Sequence, residues 1–192
     1  MAAKIFDRDT LKQALQDLGR RAYALGKTVE LSIYGGSALT LSYDWRLATK
    51  DVDAVFETDR LTVRRLIADI ALENGWDANW LNDGVKGFLS NADADSKQLF
   101  GTYPSEAEPG LRVMLPKPEY LFAMKCRAMR VGGADESADI DDIRHLAAEI
   151  GVRGAEQALA IVSAFYPRQI IEAKTQFGIE EIFGEMNTGE SR

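Results

Sequence analysis

The pattern of apolar and polar positions divides the chain into a mixed first half and a helical second half. Leu11, Leu15, Leu18, Ala22 and Leu25 recur at helical spacing, which predicts a helix over 8–25, capped by Asp7 or Asp9 and stopped by Gly26. Residues 29–34 alternate like a strand and run straight into Gly35-Gly36-Ser37, after which 38–41 reads as a short helix. A second strand is predicted over 51–56, with Asp51, Asp53 and Val55 on one face and Val52, Ala54 and Phe56 on the other. The next helix starts at Asp59, carries Leu61, Leu66, Ile67, Ile70 and Ala71, and stops at Gly75.

Between 76 and 110 the pattern weakens: Trp80-Leu-Asn-Asp83 reads as a helix cap and 99–103 as a weak strand, before a clearer strand over 111–115. Helices are predicted over 118–131, 137–150, 153–165 and 168–183, with Pro118 in a first turn where its missing N–H is harmless. The late apolar positions Ile170, Ile171, Ala173 and Phe177 read as core. The expected fold is α+β, a small mixed sheet with flanking helices and a C-terminal helical bundle. The expected organisation is an α/β core over 1–116, a helical part over 117–184 packed on it, and a mobile tail over 185–192.

Composition narrows the chemistry. The 192 residues are 46% hydrophobic and 28% charged, enough to build a core and unlike a disordered chain. One cysteine, Cys126, excludes an intrachain disulfide, and one histidine, His145, excludes a multi-histidine metal site. No apolar run reaches the ~20 residues a membrane span needs, so a soluble, cytoplasmic protein with no membrane partner is expected. The net charge of −7 argues against wholesale electrostatic binding of nucleic acid. Lys117, Lys125, Arg127 and Arg130 nonetheless make a local basic patch that could grip an RNA end or an acidic partner. Cys126 reads as core filler and His145 as the surface partner of Asp141.

The main chemical signal is Gly35-Gly36-Ser37 followed by Arg46-Leu-Ala-Thr49-Lys50-Asp51-Val-Asp53. Two carboxylates one residue apart on a strand project from one face, ~6–7 Å apart. One divalent cation bridges such a gap, and Mg²⁺ favours carboxylates combined with substrate phosphates. A Gly-Gly-Ser turn opening a helix offers backbone N–H groups and a hydroxyl to a triphosphate. Either half alone fits a tight turn or two solvated aspartates on an edge strand. Together, with Arg46 and Lys50 in the loop between, they point to a bound metal–triphosphate.

Gly36-Ser37 and Asp51-x-Asp53 resemble the signature of the DNA polymerase β-like nucleotidyltransferase superfamily. With Trp80-Leu-Asn-Asp83 and Lys125 … Asp139-x-x-Asp142-Ile-x-x-Leu146, the fuller run is similar to nucleotidyltransferases of the AbiEii and DUF6036 type. The resemblance implies that Asp51 and Asp53 hold Mg²⁺ and that Gly35, Gly36, Ser37, Arg46 and Lys50 bind the nucleoside triphosphate. It also implies that Lys125 contacts its phosphates and that Asp142 sits near the reacting groups. It further implies an acceptor hydroxyl on RNA, possibly tRNA, or on protein, and a cognate toxin or antitoxin as partner. Members of the superfamily usually add a third carboxylate from a later strand. The strand over 111–115 offers Arg112 and no acid, so either Asp142 substitutes or the chain serves as a non-catalytic, protein-binding subunit.

The downstream residues also have plain readings. Lys125 falls between Leu121 and Phe122 and beside Met129, where a lysine must snorkel, find a carboxylate or face a cavity. Asp139 lies inside the apolar stripe of Ile140, Ile143, Leu146, Ala147 and Ile150, with Asp142 at its edge and Asp141 turned away. An acid at a helix start is also a favourable complement to the helix dipole.

Overall fold

The computed structural model describes residues 5–56, 59–130 and 136–189. They separate into two compact units, Met1–Gly87 with Lys97–Pro116, and Phe88–Ser96 with Lys117–Arg192.

The first unit opens with β1 (Phe6–Asp7), whose Asp7 side chain caps α1 (Arg8–Ala24) by accepting from the Thr10 N–H. It continues through β2 (Val29–Tyr34), α2 (Gly35–Ser42), β3 (Ala48–Thr49), β4 (Val52–Phe56), α3 (Arg60–Asn74) and β5 (Leu81–Asn82). The hairpin β6 (Lys97–Ser105) and β7 (Glu108–Pro116) completes it. The sheet order is β5-β4-β2-β7-β6, with β2 antiparallel to β4, parallel to β7, and β4 parallel to β5. This is the mixed sheet the alternation predicted. Strand β6 is longer than the predicted 99–103, because Lys97 and Gln98 already pair with β7.

One face of the sheet is apolar: Leu31, Ile33, Val52, Ala54, Leu111 and Val113 are buried. Helix α1 packs on β6 and β7 and against α3. Glycine is what allows that approach, since a Cβ at Gly110 would collide with the backbone of Gly19, and one at Gly19 would meet the Tyr103 carbonyl. The α3 stripe is Val63, Leu66, Ile67, Ile70 and Ala71; Leu61, expected in it, is 84% exposed because, two residues before Val63, it falls on the opposite side of the helix. Leu25, likewise placed in the α1 stripe, is exposed because it is the C-cap rather than part of the helix.

The second unit holds α4 (Pro118–Ala128), α5 (Glu136–Glu149), α6 (Ala155–Phe165) and α7 (Ala173–Gly189), with α4 packed against the other three. The stretch Phe88–Ser96, expected within the 1–116 core, goes with these helices. Its Ser90 N–H donates to Tyr120 Oη, its Ser90 Oγ donates to the Phe165 carbonyl, and the Ser96 carbonyl accepts from Lys117. The predicted 118–131 helix ends at Ala128, and Val131 lies outside the described residues. Helix α7 runs through Gly189, so 185–189 of the expected tail are helical, and 190–192 lie outside the described residues. Among its described side chains Thr175, Ile179, Ile182 and Phe183 are buried; of the expected core positions Ile171, just before the helix, is buried, whereas Ile170, Ala173 and Phe177 are exposed, the last two lying off the buried face of α7.

Candidate active site

The site begins with the meeting of β2 and α2. Tyr34 ends the strand in extended conformation and Gly35 turns the chain at φ +61°, a left-handed geometry that favours glycine. Antiparallel pairing sets Tyr34 opposite Asp53, which brings the turn to the carboxylate. A Cβ at Gly35 would stand 2.7 Å from Asp53 Oδ2, and one at Gly36 would stand 2.8 Å from Thr49 Oγ1 and 3.6 Å from an Arg46 guanidinium nitrogen. The two glycines therefore let the Asp53 carboxylate and the Thr49 hydroxyl pack directly against the backbone of the turn. Tyr34 provides no side-chain cap to α2, so the first-turn N–H groups keep their capacity to bind an anion.

Ser37 departs from its expected part. It is buried at 1% exposure, and its hydroxyl donates to the Tyr34 carbonyl at 2.8 Å. The hydroxyl holds the turn in shape, and what Ser37 presents toward an anion is its backbone N–H.

Within β4 the alternation holds, but Asp51 falls outside the strand it was expected to open. In β4, Val52, Ala54 and Phe56 are buried while Asp53 and Val55 are half-buried. Asp51 lies in the bend just before the strand, with its carbonyl accepting from Thr49 Oγ1 at 3.2 Å. Its carboxylate accepts from Asn82 Nδ2 at 3.2 Å. Asn82 pairs with Asp53 through the parallel β4–β5 register, so one amide faces both acids of the pair. Lys50 is exposed in the loop.

Asn82 is delivered by an aromatic cluster. The Trp80 ring lies 5.7 Å from Phe6 and 5.1 Å from Trp76, its Nε1–H donates to the Ile67 carbonyl, and its own carbonyl accepts from Val52. The stretch forms β5 rather than the expected helix cap, since a two-residue parallel strand leaves no periodicity in the sequence. Its Trp-Leu-Asn-Asp run was nonetheless part of the family resemblance, and that was the available signal.

Lys125 and Asp142 belong to the helical unit. Lys125 Nζ lies 2.7 Å from Asp142 Oδ2 and 3.3 Å from Asp139 Oδ1, while Arg130 Nε donates to Asp139 Oδ2 at 2.9 Å. Both acids are buried, so the lysine among apolar neighbours has found carboxylates. Burial pushes the Asp139 carboxyl up, but the Arg130 hydrogen bonds and the Lys125 charge outweigh it and hold the group below the usual aspartate range. Cys126 is fully buried and its thiol is pushed well up by that burial, which keeps it inert. His145 is exposed, its Nδ1 2.8 Å from the Asp141 carbonyl.

The donor set suits Mg²⁺. Asp51 and Asp53 supply only oxygen, and Mg²⁺ is held by one or two carboxylates together with substrate phosphates. Among the described residues no third Asp, Glu, His or Cys joins the pair to form a three-ligand cluster.

No protein-family model and no curated protein matches the chain. Among solved structures, an antigenic nucleotidyltransferase-like protein from Paracoccidioides brasiliensis is similar with a TM-score of 0.49 and 17% identity, covering 91% of this chain and 95% of that one. Likeness at that level transfers neither a residue's role nor an activity. The chemistry rests on the residues described above.

Proposed function

We propose that this protein is a nucleotidyltransferase that moves a nucleoside monophosphate from a nucleoside triphosphate to a hydroxyl, with Mg²⁺ as cofactor. One observation carries the reading: the left-handed Gly35 turn lies against Asp53 Oδ2, so an uncapped helix start and a carboxylate pair share one place in the fold. A metal-bound triphosphate needs both at once.

In this reading Asp51 and Asp53 hold Mg²⁺, which when bound neutralises triphosphate charge and templates the phosphates. The N–H groups of Gly35, Gly36 and Ser37 donate to phosphate oxygens, and Arg46 beside Gly36 adds fixed positive charge. Asn82 orients Asp51 through its hydrogen bond. The acceptor oxygen forms a bond to the α-phosphorus while the bond from that phosphorus to the bridging oxygen breaks. The electron pair leaves with pyrophosphate, and the acceptor proton passes to solvent.

The similarity of the wider motif to the AbiEii and DUF6036 type supports RNA, with tRNA as one form, as the acceptor class, and a bacterial toxin–antitoxin or phage-defence setting. A protein hydroxyl is the other acceptor this reading admits. The rival is a non-catalytic, partner-binding subunit, favoured by the absence of a third acid beside Asp51 and Asp53 among the described residues. Thermal unfolding with and without Mg²⁺ and each triphosphate separates them. The transferase should gain stability from at least one triphosphate only with Mg²⁺, and lose that gain in Asp51→Ala/Asp53→Ala. Absence of any gain in the wild-type chain favours the subunit.

A further inference from the structure

The polar face of the sheet carries a lysine that neither the motif nor the site described above uses. Lys97 opens β6, at the far edge of the sheet from β5. Its Nζ donates to Ser32 Oγ at 3.0 Å, although Ser32 belongs to β2 and the whole of β7 runs between them. The side chain therefore lies across β7 and sets its ammonium over the central strand.

Register shows which face this is. Leu99 pairs with Met114, and Met114 pairs with Ser32, so Lys97, two residues before Leu99, shares the face of Ser32. Ser32 pairs with Val55 and Tyr34 with Asp53, so the same face carries Asp53 and Asn82. Ser32 and Asp53 are diagonal neighbours across the β2–β4 ladder, a separation of about 7–8 Å that long side chains span. The face opposite carries the buried apolar residues Leu31, Ile33, Ala54 and Val113. Ser32 is fully buried, so its hydroxyl anchors the ammonium at a fixed position, which a lysine free in solvent would not hold.

We propose that Lys97, held by Ser32, is a substrate-contacting cation of this face that binds the phosphates not transferred, the β and γ groups of a nucleoside triphosphate. The inference deepens the nucleotidyltransferase reading and rests on it. An ammonium is the compact, multiply donating charge that suits phosphate oxygens. Placed one strand from the carboxylates, it meets the phosphates beyond the one under attack and stabilises the electron pair that pyrophosphate carries away. Ser32 is the positioning residue.

The test is isothermal titration of the full chain with each Mg²⁺–triphosphate and the matching monophosphate. The wild-type chain binds at least one triphosphate more tightly than its monophosphate. Lys97→Met weakens that triphosphate tenfold or more and leaves the monophosphate within about twofold, Lys97→Arg recovers part of the loss, and Ser32→Ala gives a smaller loss in the same direction. A merely structural lysine would lower the melting midpoint and weaken both ligands alike. If Lys97→Met unfolds at the assay temperature, Lys97→Arg and Ser32→Ala carry the comparison. Unchanged triphosphate affinity, or equal loss for both ligands, overturns the role of Lys97 while the transferase reading stands. A wild-type chain that binds no triphosphate overturns both.

Discussion

A methyl group at position 35 would meet two obstacles at once. Gly35 sits at φ +61°, and a Cβ there would stand 2.7 Å from Asp53 Oδ2. Gly35→Ala is expected to cost about 1–2 kcal/mol from the left-handed backbone alone, readable as a shift in urea midpoint. It should also abolish triphosphate-induced stabilisation; retained stabilisation would remove the turn from the site. Asn82→Ala deletes two hydrogen bonds, the one to Asp51 and the one its Oδ1 accepts from the Gly84 N–H. Its stability loss should be about 2 kcal/mol, with transfer falling by more than the change in stability explains. These residues differ in how legible they were. Gly35, Asp51 and Asp53 are readable because turn chemistry and two-residue alternation are local. Ser37 was read as a phosphate ligand through its hydroxyl, whereas its burial and its bond to the Tyr34 carbonyl follow from packing around α2. Lys97 gave no signal, since its partner lies 65 residues away.

Among the elements, α4 and α5 are joined by charge as well as by packing. Lys125, at 13% exposure, lies between Asp139 and Asp142, and Arg130 closes on Asp139 from outside. Asp139→Asn should cost about 3 kcal/mol, the low end for breaking a buried pair, because Asp142 still faces Lys125. The depressed Asp139 carboxyl also fixes a sign. Its contribution is fully present above the unfolded aspartate pKa of about 3.9 and is lost as pH falls through the lower folded value. Acid unfolding should therefore steepen below about pH 4 in the wild-type chain and be shallower there in Asp139→Asn. Equal acid slopes in the two proteins would contradict the ion cluster. Strand β5 depends on Trp80, whose ring packs on Phe6 and Trp76. The longer helices and strands were legible from periodicity. Elements of two residues, β1, β3 and β5, were not, because pairing with distant partners makes them and no local pattern does.

At the scale of the whole molecule the chain carries a net charge of −7, and no helix of the described residues is long and apolar enough to cross a membrane. An acidic protein gains little from counterion release, so bulk RNA should not shift in a gel at physiological salt. Retention of total RNA regardless of sequence would point to a basic surface the net charge hides. The periodicity changes from mixed to helical near Pro116, the last residue of the first unit. The assignment of Phe88–Ser96 to the helical unit was not legible, since it depends on hydrogen bonds from Ser90 and Ser96. The central claim, that Asp51, Asp53 and the Gly35 turn form a nucleotidyl-transfer site, is tested most directly with α-³²P-labelled triphosphates. The pure chain would be incubated with Mg²⁺ and each triphosphate, alone and with total bacterial RNA, beside Asp51→Ala/Asp53→Ala. Label should pass to RNA or to the protein only when both aspartates are intact. Label appearing equally with the double variant, or on no acceptor with any of the triphosphates, would contradict it.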